Sequence, residues 1–214
     1  MRSAGTRGRA IAESIKTLAW RYAVGGDPFA LSLGAHDADR LFLERVEEVV
    51  KKADQVQLAP VVGDQITGAM RELRRQPLDR RRESYCIGRV EDQMRWYAGK
   101  AQANGDSARR WGATAAASNV IGIVGSVARF FGWVDFDILG IAAAAAGSAT
   151  AWVQLKQHRI LATSYALASQ ELSLVRERLS AITDENSWSL EMSDAEDAIS
   201  REHTMWLARH GHAA

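Results

Sequence analysis

The stretch that decides the fold runs from Trp111 to Leu155 and reads WGATAAASNVIGIVGSVARFFGWVDFDILGIAAAAAGSATAWVQL. Two weakly polar, Ala/Gly-rich runs, Gly112 to Phe131 and Ile138 to Leu155, are joined by an acidic turn, and Arg109, Arg110, Lys156 and Arg159 bracket the pair. A bilayer core of about 30 Å needs roughly 20 helical residues at 1.5 Å each, and both runs come close to that length. The only formal charge inside them is Arg129, near one end. Soluble helices usually carry a polar face at 3.6-residue spacing, and neither run has one. The expectation is a transmembrane hairpin, with membrane helices at about 112–131 and 138–155. A soluble Ala-rich hairpin is the alternative, because Ala is only marginally apolar and Ala142 to Ala146 are five in succession.

The flanks set an orientation. Lys and Arg are retained preferentially on the cytoplasmic side; here they lie outside both ends of the hairpin, while the turn holds Asp135 and Asp137. Both termini are therefore expected in the cytoplasm. Trp111, Trp133 and Trp152 fall near the water boundaries, where an amphipathic ring is favoured, and Arg129 can extend its head group toward the outer surface. The polar side chains of the runs, mainly Thr114, Ser118, Asn119, Ser126, Ser148 and Thr150, are mostly small hydroxyls able to bond back to their own helix. Asn119 differs. An unpaired amide in hydrocarbon costs several kcal/mol, so it is expected to face another helix or a water-filled path.

Small residues spaced by four let helices approach closely in lipid. Gly122 with Ser126, Gly140 with Ala144, Ala143 with Gly147, and Gly147 with Ala151 have this spacing, and Ser148 adjoins the last pair. Contact between copies and packing within one hairpin explain them equally well. Gly122, Ser126, Asn119, Gly140, Gly147 and Ser148 are thus the candidates for membrane helix packing or a pore.

The remaining composition is that of a helical chain. The 214 residues hold 27 Lys+Arg against 26 Asp+Glu, and three prolines leave the long periodic segments unpunctuated. Cys86 is alone, which excludes an internal disulfide and fits a reducing compartment. The first 24 residues lack the apolar run of a secretory signal, so the hairpin itself is expected to target the chain. Basic residues concentrate in Arg71, Arg74, Arg75, Arg80, Arg81 and Arg82. Interspersed with Glu72, Asp79 and Glu83, they read first as a solvated linker face. Attraction to anionic lipid head groups, at about 1 kcal/mol per residue, is a second reading. Nucleic acid is not an expected partner, since no binding motif accompanies the run.

Helices are expected almost throughout. Ala10 to Val24 places Ile11, Ile15, Leu18 and Tyr22 on one stripe before Gly25-Gly26-Asp27-Pro28 stops it. Asp37 to Ala53 follows, with Leu41, Val46, Val49 and Val50 inward, then a shorter helix over Asp64 to Gln76. Pro77 separates this from a helix of about Arg80 to Ala103, which Asp79 can cap. Along that helix Tyr85, Arg89, Gln93, Trp96, Tyr97 and Lys100 recur at intervals that line one face with aromatic, amide and basic groups. Asn104-Gly105-Asp106-Ser107 is a place for a break or a bend. Beyond the second run, Leu161, Tyr165, Leu172, Val175 and Leu179 continue without a breaker, giving one rod up to about Ile182. Ser193 and Glu196 form a capping box for a last helix to about Arg209, with Ile199, His203 and Trp206 on one face. Packed against the rod and the Tyr85 helix, it would complete a cytoplasmic bundle. The fold class expected is all-α: a two-helix transmembrane hairpin extended into a cytoplasmic helical bundle.

These residues carry a resemblance. Tyr85-x-x-x-Arg89-x-x-x-Gln93-x-x-Trp96-Tyr97-x-x-Lys100-Ala101, then a membrane hairpin, a long helix and a terminal Glu202-His203-x-x-Trp206, resemble the SLATT domain family over about residues 80–210. SLATT domains are bacterial two-transmembrane domains associated with nucleotide-signalling defence systems. Ala12 to Tyr22, with Pro28-Phe29, is similar to the part that follows the hairpin in a related SLATT variant. The chain then divides into an amino-terminal helical region, 1–78, and a SLATT-like domain, 79–214. Fuller relatives would carry another membrane pair before residue 1, so a shortened natural form and a missing start are both open.

The resemblance implies a membrane-embedded effector that assembles in the inner membrane and opens a pore or breaches the bilayer when a partner senses infection. Its implied partners are the lipid bilayer, further copies of itself and a separate sensor or nucleotide-signalling protein. An enzyme is not expected: there is no phosphate-binding glycine loop, no nucleophile motif and no Cys/His set with metal spacing. No catalytic residue, cofactor or metal is therefore assigned. A helical scaffold or adaptor without pore activity, soluble or attached to the membrane, is the alternative.

Overall fold

The computed structural model describes the backbone of residues 2–52 and 63–211, and the side chains of 8, 11–52 and 63–200. It is all-α, with no strand among the described residues. Among the described residues eight α-helices follow in order: α1 (Arg2–Val24), α2 (Ala35–Lys51), α3 (Gly68–Arg75), α4 (Leu78–Tyr85), α5 (Asp92–Phe130), α6 (Ile138–Lys156), α7 (His158–Ser180) and α8 (Glu185–Gly211). A π-helical turn, Cys86–Glu91, joins α4 to α5, so Leu78–Phe130 is one helical run of 53 residues. The chain forms two compact units, Met1–Glu91 with Leu174–Ala214, and Asp92–Ser173.

In the first unit α1 is central, with α2, α3, α4 and α8 packed around it. Tyr22, Phe29, Ala38, Phe42, Val46 and Ile66 form its apolar cluster, and Tyr22, Phe29 and Phe42 meet edge-on or tilted with ring centroids 5.2–6.0 Å apart. The end of α1 is a glycine-closed turn. Gly25 takes φ +77° and the Gly26 N–H bonds back to Arg21 O at 2.8 Å, a conformation that a Cβ disfavours.

The basic run departs from the solvated face expected for it. Arg74 and Arg81 are buried, and their guanidinium groups close the open carbonyls that follow α1. Arg74 donates to Tyr22 O, Phe29 O and Ala30 O; Arg81 donates to Val24 O at 2.6 Å, to Gln76 O, and to the Glu185 carboxylate. Carbonyls at a helix C-terminus carry partial negative charge, so cations there satisfy both hydrogen bonding and electrostatics. Arg71 pairs with Asp39, and Arg82 donates to Ile182 O and Asp79. Only Arg75 and Arg80 stay exposed, each beside a Glu on its own helix.

Several boundaries also shift. Pro77, not Asp79, occupies the cap position of α4, and Asp79 lies in its first turn. Asn104 to Ser107 neither break nor end α5, because the Asn104 amide and Ser107 hydroxyl bond back to Lys100 O and Ala103 O. The rod expected through Ile182 is interrupted at Gln157, which takes the left-handed conformation between α6 and α7. Finally, α8 begins eight residues before the expected capping box. Asp184 accepts from the Ser187 N–H at 2.9 Å, while Ser193 and Glu196 lie inside the helix.

Candidate functional site

The second unit contains the hairpin. The runs Leu78–Phe130 and Ile138–Ser180 both include windows long and apolar enough to cross a membrane. Asp137 caps α6 by accepting from the Gly140 N–H at 3.1 Å, and Arg129 lies 3.7 Å from the same carboxylate. Trp111 and Trp152 meet with ring centroids 6.2 Å apart at the other end, where the Lys156 ammonium sits 4.9 Å from the Trp152 ring centroid. One end of the hairpin is thus closed by an acid–base pair and the other by a tryptophan pair.

The α5–α6 seam is built of small residues. Gly122 and Gly125 face Ala142 and Ile138, and a Cβ at either glycine would stand 3.1 Å from Ala142 Cβ or 2.5 Å from Ile138 Cγ2. Ala146 and Ala149 continue the buried line. Ser126 and Thr150 donate their hydroxyls to Gly122 O and Ala146 O, one turn back on their own helices. Gly122 therefore packs against α6 within the hairpin, while the Ser126 hydroxyl is spent on its own helix. Gly140 accommodates the capping Asp137 side chain, with a Cβ there 2.5 Å from Asp137 Oδ2. Gly147 and Ser148 point away from the seam, and a Cβ on Gly147 would meet nothing within 4 Å.

Asn119 is also outside the seam. It is exposed on α5 beside Val120 and Ile123, and none of the described residues hydrogen-bonds its amide. Its amide therefore makes no hydrogen bond within the hairpin.

The motif expected along one face is divided between the two units. The π-helical turn, with its i→i+5 hydrogen bonds, runs through Cys86–Glu91, and the adjacent pairs Tyr85–Cys86 and Arg89–Val90 are buried. Tyr85 and Arg89 enter the core of the first unit. There the fully buried Glu196 of α8 accepts from Arg89 Nε at 2.8 Å, Arg89 Nη2 at 2.9 Å, Tyr85 Oη at 2.9 Å and Thr17 Oγ1 at 2.8 Å. Glu13 of α1 lies 2.7 Å from Arg89 Nη1. Burial would push the Arg89 guanidinium down, but its bonds and charge pairing with Glu196, then Glu13, reverse this and hold it raised. Burial, then the charge and hydrogen bond of Glu196, hold Tyr85 well above the usual phenol range, so it stays a neutral donor. The Cys86 thiol is raised by burial as well, away from nucleophilic use.

The remaining motif residues lie in the second unit. Tyr97 is buried against Tyr165 of α7, with ring centroids 6.0 Å apart, while Trp96 is 44% exposed and meets both rings edge-on. The Lys100 ammonium lies 5.5 Å from the Trp96 ring centroid, and Gln93 is half-buried. Trp96 is therefore not the buried anchor its size suggests. Glu202, His203 and Trp206 fall on α8 beyond the described side chains.

Two residues of this core are not among those the sequence motif singles out. Trp188 is fully buried, donates Nε1 to Val24 O at 2.8 Å and meets Tyr85 edge-on at 6.0 Å. Glu196, whose spacing from Ser193 suggests only a cap, is the buried acceptor of the cluster. The signal for both was the stripe Trp188, Met192, Ala195, Ile199, in whose middle a carboxylate at 196 stands one turn after Met192. A buried acid demands a buried base.

A two-helix apolar hairpin carried by an otherwise charged helical chain points to a membrane protein with two transmembrane helices. Residues 85–206, more than half of the chain, match the family described as SMODS and SLOG-associating 2TM effector domain 1. The chain belongs to that SLATT family. Residues 2–82 match a second member of the series, SMODS and SLOG-associating 2TM effector domain 3. No curated protein and no solved structure matches the chain.

Proposed function

We propose that this protein is a membrane-embedded effector that assembles with further copies of itself and opens a pore in, or disrupts, the bacterial inner membrane. The observation that carries this reading is Asn119: a carboxamide on the outer face of an apolar helix, with no partner in its own hairpin. Hydrocarbon leaves such a group unsatisfied at a cost of several kcal/mol, and a second hairpin or a water-filled path removes that cost. The outward Gly147 and Ser148 present a smooth surface on which another helix can approach closely. The activity needs no catalytic residue and no cofactor. A separate sensor or nucleotide-signalling protein supplies the trigger in an antiviral setting, and both termini lie in the cytoplasm.

Asn119→Leu should abolish depolarisation measured with a membrane-potential dye in activated cells, and leave the protein in the membrane fraction. Gly147→Leu should act in the same direction by holding outer faces apart. If the activated wild-type protein causes neither depolarisation nor dye leakage, the reading is wrong and a helical scaffold or adaptor takes its place. Topology gives an independent check. Cys86 is buried, so a cysteine introduced at Gly132 should be the one labelled by an impermeant thiol reagent from outside, while one at Gln170 should not. Protection of both sites would remove the hairpin from the membrane.

A further inference from the structure

Where α6 gives way to α7, Gln157 holds φ +50°, a conformation that residues other than glycine adopt at an energetic cost. A cleft of about 530 Å³ opens beside this break, in the same unit as the hairpin. That volume lies within the roughly 300–1,000 Å³ of ligand-binding pockets. Gly112 and Ala115 of α5 line it with small groups, Val153 and Ile160 with apolar ones, and Thr150, Gln154, Gln157 and Arg159 with polar ones. The Arg159 guanidinium has no ion pair or hydrogen bond among the described residues, unlike Arg109, which pairs with Asp106.

We propose that this cleft is a binding site for one phospholipid with an anionic headgroup, its acyl chain laid over Gly112 and Ala115 and its phosphate held by Arg159. The proposal rests on the hairpin spanning the membrane, and three features of the cleft select a lipid. It lies at the end of the span marked by the Trp111–Trp152 pair, where headgroups meet hydrocarbon. Its lining joins small and apolar groups, including Trp111, Val153 and Ile160, to the single cation Arg159, which matches an amphiphile and not a free anion. Arg110 and Lys156 nearby in sequence add positive charge, so a headgroup with net negative charge is favoured over a zwitterionic one.

The test uses the full chain, delipidated in a neutral detergent, with thermal unfolding as the readout. Phosphatidylglycerol should raise Tm by about 5 °C near saturation, since a ligand bound only by the folded state stabilises it. Phosphatidylcholine should give much less, and inorganic phosphate should give none. Arg159→Gln should remove the difference between the two lipids. Gly112→Leu fills part of the cleft, where a Cβ meets nothing within 4 Å, and leucine is a better helix former than glycine. That variant should fold and enter the membrane yet lose most of the shift. Equal shifts from both lipids, a shift from phosphate alone, or an undiminished response in both variants would overturn the proposal. Carbonate extraction of the same proteins separates the two readings: an extractable wild-type chain defeats the membrane reading, and a membrane-resident chain blind to phosphatidylglycerol defeats the lipid site alone.

Discussion

Glu196→Ala should lower the cellular level of the protein several-fold. The Glu196 carboxylate is the common acceptor for Arg89, Tyr85 and Thr17, all in a site closed to water, and once it is gone Arg89 keeps Glu13 as its charged partner and the Thr17 hydroxyl at 3.3 Å. Breaking a buried ion pair from one side costs about 3–5 kcal/mol, because the surviving charge stays buried without its partner. A domain of ordinary stability holds about 5–15 kcal/mol in total, so steady-state abundance should fall several-fold and thermal unfolding should move down by many degrees. Replacing both partners tests whether charge is the cause. Arg89→Met with Glu196→Leu should recover a large part of the loss, since apolar groups leave nothing unpaired at the centre. A single Glu196→Ala variant that accumulates and unfolds like the parent would show that the cluster does not hold α1, α4 and α8 together.

Trp188→Ala should have the second largest effect, and it should exceed that of Trp96→Ala. Trp188 is wholly buried, meets Tyr85 edge-on and donates to Val24 O, the carbonyl that also receives Arg81. Its truncation leaves a cavity and an unfilled acceptor position, for about 3–5 kcal/mol. Trp96 is 44% exposed, and its contacts with Tyr97 and Tyr165 are those of a ring at the edge of a cluster. Half-burial of an aromatic ring with such contacts is worth about 1–2 kcal/mol. Chemical denaturation of the two variants in the same detergent should therefore separate their midpoints in that order. Near-normal abundance of Trp96→Ala with lost activity would mark this exposed ring as a contact for the triggering partner.

The apolar runs were legible because membrane helices are set by length and composition, and neither depends on what the chain does elsewhere. Ile138 to Leu155 falls within α6 and Gly112 to Phe131 overruns α5 by one residue, while the acidic turn between them stays non-helical, with Asp137 as the cap of α6. The helix stop at Gly25-Gly26 was legible for a similar reason, since a positive φ is a local demand that glycine meets. Spacing also placed Tyr85 and Arg89 together, though it assumed a uniform 3.6-residue turn and so carried Trp96 and Lys100 onto the same face. The π-turn at Cys86–Glu91 changes that register, and no local residue pattern announces it.

Pairing was decided by tertiary structure alone. A charged run such as Arg71 to Arg82 looks solvated, because in isolation every guanidinium prefers water; Arg74 and Arg81 are drawn in by carbonyls at the end of α1, more than forty residues earlier. Glu196 reads as a helix cap until Arg89, more than a hundred residues away, comes within 2.8 Å. Gly122 and Gly147 are equivalent by composition and spacing, but one is closed by Ala142 and the other faces outward. The sequence by itself determined that this chain is helical and carries a two-helix membrane hairpin, since apolar length and helical period act over a few turns. Only the folded chain decided which charges are buried, which small faces are spent within the hairpin and which remain available. The free energy of a buried charge or a close helix contact belongs to both partners, and the partner is chosen by the fold.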